Sequence, residues 1–201
     1  MPVAVLIPVK RFAAAKARLS DRLDVEQRAT LARWLADRVV DAAATMPVFV
    51  TCDDDGVASW ADGAGAEVLW SPGLGLNGAV NAGRATIAGK GFEHVVIVHS
   101  DLPLAHHLDG VATAGTITIV PDRHGDGTNV LALPVGADVP ASYGGGSFAR
   151  HVDLALASGF PVEVRNDPRL ALDLDNVADL THPLAHPVLP SWLRTTLASR
   201  R

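Results

Sequence analysis

The chain has 201 residues, 48% of them apolar and 19% charged, with a formal net charge of −5 and a pI near 5.8. That length suits one domain with a substantial core, and the composition excludes a disordered chain. The acidic balance argues against a nucleic-acid or anionic-membrane partner, both of which select basic surfaces. A single cysteine, Cys52, rules out an intrachain disulfide and a cysteine zinc cluster. No secretory leader is read at the start, and no apolar run reaches the roughly 20 residues of a membrane helix, so the expected location is cytoplasmic.

Residues 3–8 form a β-branched run closed by Pro8, the pattern of a strand buried on both faces. A basic loop follows over residues 9–24. Asp24 and Gln27 are spaced as a capping box for a helix carrying Leu31, Trp34, Leu35 and Val39. Residues 47–51 read as a second strand, with Asp53, Asp54 and Asp55 as a solvated turn and helix cap. A third short strand at 67–70 leads through a glycine-rich loop into an alanine-rich helix. A fourth, at 94–99, ends in Ser100, Asp101, Leu102 and Pro103. Strands at 116–120 and 130–134 flank a polar turn, a helix spans about 147–158, and a strand follows at 161–165. The tail holds an extended acidic segment at 170–175, three prolines and a basic last helix. This alternation predicts a single α/β domain over 1–201: a mostly parallel sheet with helices on both faces, and a tail from about 181. Ligands of such sheets sit beyond the carboxyl ends of the strands.

Several polar groups fall there. Lys10, Arg11, Lys16 and Arg18 are four of the 17 Lys and Arg residues and follow the first strand directly. Cations so placed suit a polyphosphate, although a solvated basic loop reads equally well. Gly73, Gly75 and Gly78 spell G-x-G-x-x-G with Glu93 twenty residues on, which raises an NAD(P)-binding oxidoreductase as the alternative. Against it, the motif follows the third strand rather than the first, and Ser71 and Pro72 intervene. Asp101 is held by the strand before it and the proline after it. Leucines alternate with Ala171, Asp173 and Asp175, so an extended segment points both acids to one face. Rigid carboxylates at the sheet edge suit Mg²⁺, which takes one or two of them plus substrate phosphates. Gly144, Gly145 and Gly146 before Ser147 have the form of an anion cradle at a helix start, and Thr128 can join it, with His151 nearby.

Taken in order, Pro8 and Lys10, Lys16 and Arg18, Gly75, Asn77 and Gly78, Asp101 and Pro103, residues 122–128, residues 146–151, and Asp173 with Asp175 resemble the 2-phospho-L-lactate guanylyltransferase family. That family includes the phosphoenolpyruvate and 3-phosphoglycerate guanylyltransferases. The resemblance covers about residues 3–180 and implies a GT-A-like nucleotidyltransferase fold. It also implies GMP transfer from GTP to a small phosphorylated acid, release of pyrophosphate, and a place in deazaflavin coenzyme F-420 synthesis, where the product passes to a further transferase. By motif, Asp101 and Asp173 would hold Mg²⁺ and Lys10, Lys16 and Arg18 would act on the triphosphate. Gly75, Asn77 and Gly78 would bind the nucleotide, and Thr128, Gly144 and Ser147 the acceptor. Asn176 and Val177 depart from the Thr-Pro usual after the second acid. The all-glycine run implies a roomy acceptor pocket, favouring 3-phosphoglycerate or phosphoenolpyruvate over 2-phospholactate.

Overall fold

The computed structural model describes residues 1–43 and 45–199. Seven strands form one sheet: β1 (Val3–Pro8), β2 (Val48–Cys52), β3 (Glu67–Trp70), β4 (His94–Val98), β5 (Ile117–Pro121), β6 (Thr128–Pro134) and β7 (Val162–Val164), in the spatial order β3-β2-β1-β4-β6-β5-β7. Four of the pairings are parallel and two, β4 with β6 and β5 with β6, are antiparallel. The mostly parallel sheet expected from the alternation is therefore present, with β6 the reversed strand. No helix separates β5 from β6, so the chain turns back at residues 122–127 without a crossover. The reversal brings the start of β6, not its end, to the edge where β1 to β4 finish.

Period-two alternation places Val5 and Ile7 on one face of the sheet and Ala4 and Leu6 on the other, all four fully buried. The first pair packs beneath α1 (Val25–Ala42) and α2 (Asp55–Gly63), the second beneath α3 (Gly75–Gly89) and α4 (Ser147–Ala157). Asp24 and Gln27 form the expected capping box, and Asp54 caps α2 by accepting from Val57 N–H at 3.1 Å. Cys52 is free and buried at the end of β2. At Gly83 a Cβ would stand 3.0 Å from both Leu6 methyls, so α3 lies as close on β1 as glycine permits.

The tail is packed. Leu19, Leu23, Leu31 and Leu35 form a third core with Leu172, Leu174, Leu180, Leu189 and Leu193, which ties α5 (Val177–Leu180) and α6 (Ser191–Ser199) to α1. Arg200 and Arg201, part of the basic final helix expected from sequence, lie outside the described residues. No helix among the described residues is long and apolar enough to cross a membrane.

Candidate active site

The carboxyl ends of β1 and β4 meet at the centre of the sheet, and the basic loop crosses them. Two short 3-10 turns, Phe12–Ala14 and Ala17–Leu19, flank Lys16, which adopts the left-handed conformation at φ 56°. A non-glycine residue held there costs about 1–3 kcal/mol and persists only where its surroundings fix it. Here Leu19, fully buried, donates its N–H to Lys16 O at 2.9 Å, and the side chain is fixed at its tip. Lys16 Nζ lies 2.8 Å from Asp101 Oδ2 and 3.1 Å from Asp175 Oδ1, with only 7% of the side chain exposed. Arg18 is 3.7 Å from the same Asp175 but otherwise lies in solvent.

The acids arrive from two directions. Asp101 follows β4 and is anchored by the fully buried Leu102. Asp173 and Asp175 lie on residues 170–175, which leave a turn at 168–170 and form a strap rather than a paired strand. Leu170, Leu172 and Leu174 point inward, each contributing roughly 1.5–3 kcal/mol of burial, and the alternation turns the acids the other way. The strap is stitched across the strand ends: Asn129 Nδ2 donates to Leu170 O at 3.0 Å, Arg123 N to Ala171 O at 2.8 Å, and Leu174 N to Asp101 O at 3.2 Å. Beyond it, buried Asp179 accepts from Asp175 N–H (2.6 Å) and Asn176 N–H (2.8 Å) and pairs with Arg123. Asn176, which stands where Thr is usual, caps α5 by accepting from Ala178 N–H and Asp179 N–H. Asp179 was not picked out from sequence; the capping-box spacing of Asn176 and Asp179 is the signal that finds it.

Burial alone would raise the Asp101 carboxyl, but Lys16 beside it, helped by His99, holds it below the usual range. Burial likewise opposes the Lys16 charge, and Asp101 and Asp175 reverse the effect. At Asp173 the pull of Lys16 is outweighed. Burial, then the charges of Asp101 and Asp175, push it up to about 6 from an ordinary 3.8. Among the described residues, no three histidine, cysteine or acidic side chains converge closely enough to hold a metal alone. The chemistry nevertheless fits Mg²⁺ shared with substrate phosphates: Asp101 Oδ1 is buried without a partner, and Asp173 sits in excess negative charge. The ammonium of Lys16 marks the place between the acids where positive charge is stabilised.

A cavity of about 610 Å³ opens on this edge, bounded by Lys10, Lys16 and Asp101 at one end and by Asp53, Ser71 and Gly75 at the other. Of the glycine-loop residues expected to bind nucleotide, Gly75 lines it. Asn77 and Gly78 do not: Asn77 Oδ1 accepts from Tyr143 N–H at 2.7 Å and its Nδ2 donates to Tyr143 O at 3.3 Å, while Gly78 packs on Leu74. Asn77 thus splices the loop at 142–146 to α3. The G-x-G-x-x-G letters follow β3, the edge strand, whereas a dinucleotide fold places them after its central first strand.

The cradle lies beside this cavity. His99 N–H donates to Asn129 O at 3.0 Å, which sets the start of β6 next to Asp101. Thr128 N–H donates to Ser147 Oγ at 3.1 Å, and Ser147 N–H donates to Gly144 O at 3.0 Å, so Thr128, Gly144 and Ser147 do come together. The roomy pocket expected from three glycines is not what they make. Gly144 and Gly146 have φ of 120° and 70°, conformations that favour glycine. The space beside them is taken by Arg150, which donates to Gly145 O at 2.6 Å and Ser142 O at 2.8 Å.

The model of the family described as Guanylyl transferase CofC like matches residues 3–188. A phosphoenolpyruvate guanylyltransferase of Sphaerobacter thermophilus is 36% identical over 92% of this chain and 94% of its own length. One from Rubrobacter xylanophilus is also 36% identical, over 90% and 92%. A solved structure from Desulfovibrio desulfuricans G20, described as that of a nucleotide-diphospho-sugar transferase, superposes with a TM-score of 0.77 over 99% of this chain and 95% of that one. At 17% identity, that likeness carries the fold alone. With the family model spanning nearly the whole chain, this protein belongs to the CofC-like guanylyl transferase family.

Proposed function

We propose that this chain transfers the guanylyl group of GTP to phosphoenolpyruvate or a closely similar phosphorylated acid and releases pyrophosphate, a step of deazaflavin coenzyme F-420 synthesis. The observation that carries the reading is the buried Lys16 ammonium between Asp101 and Asp175, at the mouth of a nucleotide-sized cavity and beside an anion cradle. The names of the relatives support phosphoenolpyruvate as acceptor. GTP supply places the reaction in the cytoplasm, and the product is handed to a further transferase.

In this reaction an oxygen of the acceptor phosphate attacks the α-phosphorus of GTP, and the bond to the bridging oxygen of the leaving pyrophosphate breaks. The attacking oxygen is already anionic, so no strong general base is required. Rate comes from positioning and from charge stabilisation. Lys10 and Lys16 face the triphosphate, and Arg18 at the rim draws it in. Gly75, at the start of α3, gives the nucleotide close access to bare backbone. Thr128, Gly144 and Ser147 orient the acceptor carboxylate. Asp101 and Asp173 would hold Mg²⁺, which would supply Lewis-acid polarisation of the phosphates.

The test is pyrophosphate release by purified protein with GTP, Mg²⁺ and each of phosphoenolpyruvate, 3-phosphoglycerate and 2-phospholactate, with the product trapped by the next transferase. Turnover with GTP but not ATP or CTP, lost in EDTA, is expected. A thermal shift with NAD(P) and none with GTP would overturn the assignment.

A further inference from the structure

His151 is fully buried on α4, and both of its ring nitrogens are engaged. The N–H of Ser142 donates to Nε2 at 3.0 Å, so Nε2 carries no hydrogen and the neutral ring bears its proton on Nδ1. Nδ1 then donates to Thr128 Oγ1, 2.9 Å away. That bond uses the Thr128 oxygen as acceptor and leaves its hydroxyl hydrogen to be given elsewhere. The tautomer is therefore set by the loop, and the rotor of Thr128 is set by the tautomer.

We propose that His151 is a positioning residue for the acceptor: its imidazole braces Thr128 against the loop at 142–146, so that the cradle is formed before the phosphorylated acid arrives. The inference rests on the acceptor site described above. Three separate segments meet at this ring, namely the start of β6, the glycine loop and α4. The Tyr143 ring packs edge-on against it at 4.9 Å, and Thr128 N–H ties β6 to Ser147 in turn. Burial first, then Arg150, His99 and Arg84, push the His151 ring down to about 4, so it stays neutral through the working pH range. Fixing a hydroxyl before binding removes an ordering cost that the ligand would otherwise meet.

A merely structural histidine would lower stability, or disturb both substrates together. The brace instead separates them. His151→Phe is expected to raise KM for the acid at least tenfold, with KM for GTP within twofold of the parent. His151→Asn places an amide donor where Nδ1 stood and is expected to stay within threefold of the parent in acid KM. His151→Gln supplies an acceptor for Ser142 but no δ donor, and is expected to resemble the phenylalanine variant. If His151→Phe does not fold, the Asn and Gln pair decides. Equal acid KM for that pair, or a parallel rise in KM for GTP, overturns the proposal. Thr128→Val separates the two levels of argument. If it leaves acid KM unchanged, the acceptor site is wrongly placed. If it raises acid KM but adding His151→Phe multiplies the effect independently, the site stands and the brace fails.

Discussion

The ionised carboxyl of Asp173 works against the fold, and replacing it with asparagine should make the metal-free protein more stable. Its carboxyl is raised to about 6 from 3.8, by burial first and then by Asp101 and Asp175. A raised acid favours the protonated folded state, so its ionisation subtracts stability as pH rises from 3.8 through 6, and the full penalty is present at pH 7.5. A rise of this size corresponds to about 3 kcal/mol without screening. Asp173 is only partly buried, and solvent screening reduces this to about 1–2 kcal/mol. For a domain of this size, that corresponds to about 3–6 °C in Tm. Thermal unfolding in EDTA should therefore show Asp173→Asn above the parent at pH 7.5, with the gap closing toward pH 4. Pyrophosphate release should be lost. Asp101→Asn should move the other way in stability, because it leaves the Lys16 ammonium buried beside one acid instead of two. An Asp173→Asn protein no more stable than the parent at pH 7.5, or a gap that persists at pH 4, would refute the electrostatic reasoning.

Lys16→Met strips the shared cation from Asp101 and Asp175; a broken buried pair costs about 3–5 kcal/mol, so Tm should fall on the order of 10 °C and turnover vanish. Asp179→Ala removes the acceptor for Asp175 N–H, Asn176 N–H and Arg123. Calorimetry should show a loss of about 3–5 kcal/mol, and loosening of the strap should lower kcat more than it alters KM for GTP. Asn77→Leu leaves the Tyr143 peptide unpaired at about 1–3 kcal/mol and should raise KM for the acid, since the amide supports the cradle loop rather than the nucleotide. The depressed His151 contributes stability that is full above its ordinary 6.5 and is lost as pH falls through about 4. The Tm advantage of the parent over His151→Asn should therefore shrink across that window in acid titrations.

Strand and helix identity was legible because it rests on local patterns. Val5 and Ile7 alternate with Ala4 and Leu6, and Asp24 pairs with Gln27, whatever the rest of the chain does. The reversed β6 was not legible, since a strand's direction depends on the connection before it and the turn at 122–127 is polar on either reading. The strap at 170–175 shows the division. Its leucine alternation predicted that Asp173 and Asp175 share one face, and Leu170, Leu172 and Leu174 are buried on the other. The alternation said nothing about pairing, and the segment lies across the strand ends instead of joining the sheet.

The candidate site divides along the same line, between residue chemistry and residue neighbours. Asp101, Asp173 and Lys16 were singled out from type and position beside strand ends, and the fold brings the three side chains within reach of one another's charge. Which acid would hold the lysine could not be named, for Asp175 is 159 residues away from it in sequence. Asn77 shows the converse. Its position in a glycine loop suggested a nucleotide contact, yet its amide is taken up by the Tyr143 peptide, 66 residues on. The glycines at 144–146 suggested open space; a Cβ at Gly145 would meet nothing within 4 Å, but Arg150, one turn into α4, takes up the space beside Gly144 and Gly146. A missing side chain in sequence signals backbone freedom before it signals room. The positive φ of Gly144 and Gly146 lets the loop turn its carbonyls onto one guanidinium, and that grip, together with Asn77 and His151, makes a flexible tripeptide into a fixed wall. The rigidity of the cradle therefore comes from side chains outside the motif that announced it.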